Sequence, residues 1–96
     1  MNDISKPLRP PNAKALIKKI MAGGSVRWGT HAEEEVKKDN LEKGDVLNVL
    51  RGGIVSESEW ESGEWRYRVE TPRICVVVAF RSEKILRVVT AWRKKI

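Results

Sequence analysis

The chain has one cysteine and one histidine in 96 residues. A lone cysteine excludes an intrachain disulfide, and a zinc site of ordinary type needs three or four converging His, Cys, Asp or Glu ligands. No metal and no cofactor are therefore expected. Long apolar runs are missing too, and nothing approaches the ~20 residues that span a bilayer. The opening "MNDISKPLRPPN" has no apolar core of a secretory leader, so a reducing, cytoplasmic setting without membrane contact is the expectation. The glycine pairs at 23–24 and 52–53 follow helical patterns instead of opening a helix after a strand, which makes them helix ends and not phosphate cradles. Cys75 sits in the most apolar stretch and reads as a buried, inert thiol. No nucleophile–base pair for acyl transfer is visible.

What is present is positive charge, unevenly placed. Residues 1–63 carry ten Lys/Arg against ten Asp/Glu, whereas residues 64–96 carry nine against three. The net +6 therefore lies wholly in the last third. Concentrated charge of this kind suits a polyanion, because each neutralised phosphate releases a counterion. The plainer alternative is a set of basic strands that keeps a small domain soluble.

The length allows one hydrophobic core, hence one domain. Residues 1–11, with Pro7, Pro10 and Pro11, read as a flexible lead-in, and residues 12–96 as the domain. Ala13, Leu16, Ile17, Ile20 and Met21 recur at helical spacing and form one apolar stripe. "SVRW" is a short extended link or edge strand. Thr30 and Glu33 match a capping box, so a charged surface helix is expected near 31–39, offering Ala32 and Val36 to the core. A third helix near 43–51 buries Val46, Val49 and Leu50. From residue 54 the period becomes 2: "IVSES", "WRYRVE", "RICVVVAF" and "ILRVVTAW" read as strands, with a turn at Ser62-Gly63. The expected architecture is α+β, with N-terminal helices packed on a curved antiparallel sheet of about four strands.

One reaction suits these residues. RNA carries its own nucleophile, the 2′-hydroxyl, so cleavage needs cations around the reacting phosphate and a proton acceptor and donor, but no metal. In "WRYRVE" the alternation puts Arg66 and Arg68 on one side of a strand, with Trp65, Tyr67 and Val69 on the other. Both arginines are candidates for holding a phosphate, with ion pairing to Glu57, Glu59 or Glu70 as the competing reading. His31, the one side chain that ordinarily titrates near neutrality, is the candidate general acid–base; its alternative is a polar residue in a first helical turn. Arg73, Arg81, Lys84, Lys94 and Lys95 are candidate RNA contacts or simply solvated charges, and Arg93 belongs to the same C-terminal cationic run. Trp60, Trp65 and Trp92 can stack bases or pack at the rim.

The order of these elements resembles the RelE superfamily of small bacterial toxins, most closely the MqsR-like mRNA interferases. "ALIKKIMAGGSVRWGTHAEEEV" and "GDVLNVLRGG" are similar to segments of the MqsR-like group. The series His31-Ala32, Asp45-Val46, Gly52-Gly53, Arg66-Tyr67 and Val88-Val89-Thr90 is similar to a related bacterial group. The resemblance implies a metal-independent endoribonuclease, partnered by RNA and by a cognate antitoxin protein. It places a polar catalytic residue at Arg66 and a basic one at Arg93 or Lys94. Cys75 or Val76 stands where that group has its tyrosine, and Glu35 and Asp39 stand where the second group has arginines. Two alternatives remain open: a non-catalytic nucleic-acid-binding domain, and a basic module that docks an acidic partner protein.

Overall fold

Pro10 and Pro11 open the first helix, α1 (Pro10–Gly23), where the missing N–H groups have no intrahelical partner to lose. Its stripe of Ala13, Leu16, Ile17 and Ile20 is buried. The computed structural model describes residues 3–95. After α1 come β1 (Ser25–Trp28), α2 (Thr30–Lys38), α3 (Lys43–Gly52), β2 (Ile54–Val55), β3 (Glu59–Glu61), β4 (Glu64–Glu70), β5 (Ile74–Phe80) and β6 (Ile85–Arg93).

The expected capping box at Thr30 and Glu33 does not form. Gly29 is the N-cap of α2, held to the sheet by its N–H on the Val88 carbonyl at 3.4 Å, so Thr30 comes one residue too late to cap. The capping box belongs to α3, where Glu42 and Asp45 each take the other's backbone N–H. Between the two helices, Leu41 N–H donates to Val36 O (2.8 Å) and Asn40 N–H to Lys37 O (3.1 Å). Asn40 takes φ 56°, which gives the left-handed termination that ends α2 without a glycine.

The sheet has six strands in the order β1-β6-β5-β4-β2, with β3 paired to β4. It is mixed, which corrects the expectation of about four antiparallel strands. "SVRW" runs parallel to β6, Ser25 opposite Ile85, a pairing too distant in sequence for any local pattern to reveal. Of "IVSES" only the first two residues form a strand, and a further strand that sequence did not indicate follows it before the turn. Ile54–Val55 pairs with the far end of β4, and Glu59–Glu61 pairs with its start. The β3–β4 turn has positive φ at both Ser62 (50°) and Gly63 (79°), as in the type I′ hairpins that match strand twist.

All three helices contribute to one cluster with the inward side of the sheet: Tyr67 and Val69 from β4, Val76 and Val78 from β5, Leu86, Val88 and Ala91 from β6. A bulge opposite Val77/Val78 lets β6 skip a residue, so that Ala91 and not Thr90 points inward. The lead-in is tied to this core: Leu8 N–H donates to the Tyr67 hydroxyl at 2.8 Å, and Trp65 Nε1–H to Ser5 O at 3.2 Å. No helix among the described residues is long and apolar enough to cross a membrane.

Candidate anion-binding face of the sheet

Because the helices take one side, the odd-and-even alternation of the strands leaves Arg66 and Arg68 on the other. The pairing register builds a row across that face. Glu59 lies opposite Arg66 on one flank, and on the other Ala79 lies opposite Arg87, which lies opposite Arg27. Ala79, small and almost completely buried, is the residue of β5 that lies opposite Arg87.

The arms meet on Glu64. Its Oε2 accepts from Arg66 Nε at 3.0 Å and from Arg87 Nη2 at 2.5 Å, while Arg66 Nη1 lies 3.5 Å from Glu61. The three side chains are only 18%, 20% and 28% exposed for Arg66, Glu64 and Arg87. One oxygen thus draws two guanidinium groups from separate strands to a single point. A planar fork meets carboxylate and phosphate oxygens with the same geometry. Next along β4, Arg68 lies opposite Val77 and its guanidinium carbon sits 5.7 Å from the Trp92 ring centre, a cation–π contact reaching across β5.

Other candidates have different placements. Arg93 is committed to the end of α2: its backbone N–H donates to Asp39 Oδ2 at 2.8 Å, its Nε to Asp39 O at 3.0 Å and its Nη2 to Asn40 O at 3.1 Å. There it satisfies carbonyls and complements the negative helix end. Lys94 Nζ is 2.5 Å from Glu70, and its hydrogen bond is the main reason that the Glu70 carboxyl titrates below its ordinary value. The small stabilisation this brings is present above that ordinary value and is lost as pH falls below it. Arg73, Lys94 and Lys95 cluster at the end of the sheet where β4 passes to β5. Arg81 and Lys84 lie in the β5–β6 turn, about 20 Å away along a seven-residue strand.

His31 is not brought to the arginines. It lies in the first turn of α2, the helix whose Ala32 and Val36 enter the helix-side core, with its ring 71% exposed and Nε2 3.9 Å from Glu35. Three residues of the cluster were not singled out in the sequence: Glu64, Arg87 and Arg27. The signal for Arg87 was available, since in "ILRV" it alternates with the inward Leu86 and Val88 just as Arg66 does with Tyr67. Among the described residues no three His, Cys, Asp or Glu side chains converge on a possible metal position.

Cys75 lies on this same face, beneath Glu70 and Trp92, and is buried. Burial first, and the Glu70 charge second, push its thiol from 9.0 up to about 11. Only the thiolate alkylates, so at pH 8 the folded chain should react with iodoacetamide roughly a hundredfold more slowly than the urea-unfolded chain, before any steric protection. Similar rates in the two states, followed by mass spectrometry, would place the thiol at the surface.

The fold and face define an α+β domain of three helices on one side of a mixed six-stranded sheet, with an arginine–carboxylate cluster on the side left open. Residues 28–93 match the domain of unknown function DUF4258, and the chain belongs to that family. The matched span holds Glu64, Arg66, Arg68, Arg87 and Arg93, whereas α1 and Arg27 precede it. No curated protein and no solved structure matches the chain.

Proposed function

We propose that this chain is a metal-independent endoribonuclease of the bacterial toxin type, which holds single-stranded RNA against the open face of the sheet. The observation that carries the reading is the convergence of Arg66 and Arg87 on one oxygen of Glu64. Two positively charged forks aimed at one point, one strand apart on either side of Ala79, suit the charge that builds up on a phosphate under attack. In the proposed step the 2′-oxygen attacks the adjacent phosphorus and its proton passes to Glu64. Arg66 and Arg87 then hold the oxygens of the five-coordinate phosphorus. The bond to the 5′-oxygen breaks, and water supplies the proton that this leaving oxygen takes up. The products are a 2′,3′-cyclic phosphate and a 5′-hydroxyl. Glu64 takes the proton-accepting role that the sequence suggested for His31. Arg68 on Trp92 serves the neighbouring phosphate, and the likeness to RelE-type toxins supports a neutralising antitoxin as protein partner in the cytoplasm.

A second reading, a non-catalytic RNA-binding module, is favoured by one observation: the single imidazole lies on α2, the helix packed against the other side of the sheet. End-labelled single-stranded RNA, incubated with the purified chain and a chelator, separates the two. Fragments ending in a 2′,3′-cyclic phosphate, absent when the 2′-hydroxyls are replaced by hydrogen, are the expected result. RNA that stays intact but bound, with affinity falling steeply as salt rises, supports the second reading. RNA neither cut nor bound overturns both, and leaves the docking of an acidic protein.

A further inference from the structure

The charge on the open face changes sign from one edge of the sheet to the other. Strands β1, β5 and β6 contain no Asp or Glu, whereas Glu59 and Glu61 lie on β3 and Glu64 and Glu70 on β4. We infer that Arg27, at the β1 edge, is a second phosphate subsite. It takes the phosphodiester next to the one held by Arg66 and Arg87, on the side away from Arg68, and leads the RNA strand off the sheet across β6 and β1. The inference rests on the RNA reading above and adds to it the direction in which the strand leaves.

Three observations carry it. The first is placement. β1 is the edge strand, and Arg27 stands opposite Arg87 in its parallel pairing with β6. Val26 and Trp28, on either side of it, pack against the helix-side core, so alternation turns Arg27 to the face that carries Arg87. Neighbouring strands lie only ~4.8 Å apart. Arg87, however, extends away from β1 to reach Glu64 on β4, which leaves the space beside β1 to Arg27. The two arginines therefore serve successive positions along one extended polyanion.

The second is availability. Arg66 and Arg87 share Glu64, Arg93 is bound to the end of α2, and Lys94 pairs with Glu70. Arg27 is exposed and, among the described residues, its side chain makes no ion pair or hydrogen bond. A solvated arginine is ordinary by itself. One in register with a phosphate-directed pair, with no carboxylate on its own strand or the next two, has its charge free for an incoming anion.

The third is the barrier on the opposite flank. Glu59 lies opposite Arg66, and Glu61 is 3.5 Å from the Arg66 guanidinium. Both are exposed, so a phosphodiester chain running toward β3 meets like charge at close range. Running toward β1 it meets only cations. The favourable path therefore crosses from the arginine pair to Arg27.

The test measures binding of a short single-stranded oligoribonucleotide whose 2′-hydroxyls are methylated, and so cannot attack, over a range of salt concentrations. Arg27→Ala is expected to weaken binding about fivefold and to lower the slope of log affinity against log salt by about 0.7, whatever the base sequence. Arg27→Lys should keep most of the affinity. Lys18→Ala removes the same charge from an exposed position on α1, which packs on the other side of the sheet. It should stay within about twofold of the parent, because salt screens charge at that range. Equal losses for Arg27→Ala and Lys18→Ala would overturn the subsite and leave the Arg66–Arg87 reading in place, as would a loss confined to particular base sequences. A parent chain that binds no RNA overturns both. Polyglutamate bound as tightly as RNA, and weakened equally by Arg27→Ala, would make this edge a docking surface for acidic protein and overturn the RNA subsite.

Discussion

Arg87→Ala is expected to lower kcat/KM for RNA cleavage by two to three orders of magnitude while leaving the folded protein nearly as stable as before. The catalytic part follows from the geometry at Glu64. Arg87 supplies one of two guanidinium groups directed at a single point, from β6, with β5 between it and the strand of Arg66. Removing one preorganised donor to a developing oxyanion typically costs about 10²–10³ in rate. The stability part follows from what remains. Glu64 keeps its 3.0 Å contact with Arg66, so no carboxylate is left without a partner. A partly exposed ion pair of this kind is worth about 1 kcal/mol or less. Arg87→Lys keeps the charge but not the fork, and should recover only a part of the rate. Cleavage at the parental rate by the alanine variant, with unchanged product ends, would remove Arg87 from the site. The combined Arg66→Ala and Arg87→Ala change should cost less than the product of the single losses, since both act on one phosphate.

Gly24→Ala is expected to destabilise the domain by about 3 kcal/mol or more, against a total of ~5–15 kcal/mol for a domain of this size. Gly24 has an ordinary φ of −105°, so backbone preference is not the reason. The reason is proximity: a Cβ there would stand 2.2 Å from the Lys84 carbonyl oxygen and 3.1 Å from Ile20 Cα, both main chain. That same carbonyl accepts from Ser25 N–H at 2.8 Å. Relieving the clash means moving the start of β1 away from β6, which gives up that bond and loosens the parallel pair. For a chain of this length the change corresponds to a fall of about 10–25 °C in melting temperature. The neighbouring Gly23→Ala is the control, because nothing lies within 4 Å of its Cβ position. That variant should melt within a few degrees of the parent. Equal melting for the two variants would mean that the helix–sheet junction is looser than described.

The parts of this molecule that sequence makes legible are those set by near neighbours. The α1 stripe is one: Leu16, Ile17 and Ile20 are buried because helical spacing stacks them on one side. So is the outward placement of Arg66 and Arg68, which needs only the alternation of a strand. Partners across strands are less legible. Reading along the chain pairs the arginines with Glu57, Glu59 or Glu70, yet Arg66 meets Glu61 and Glu64. Which carboxylate an arginine reaches depends on rotamers and on how tightly the Ser62-Gly63 turn closes the hairpin. The outward placement of Arg87 is legible in the same alternation, but its partner is not: Glu64 lies two strands away, and no spacing rule connects them. The position of His31 depends on which side of the sheet α2 covers, a choice made by Ala32 and Val36 together with the rest of the core. Arg93 shows the same limit, since its partners are the carbonyls of a helix end created by the left-handed Asn40.

The strand that sits second in the sheet follows the other five in chain order among the described residues, and Arg87 is on it. Arg66 emerges from the ribosome well before Arg87, with its half of the cationic pair alone. Until residues 85–93 have emerged and inserted between β1 and β5, the two guanidinium groups cannot meet. A nascent chain therefore presents Arg66 and Glu64 without their second guanidinium partner until β6 has docked between its two neighbours.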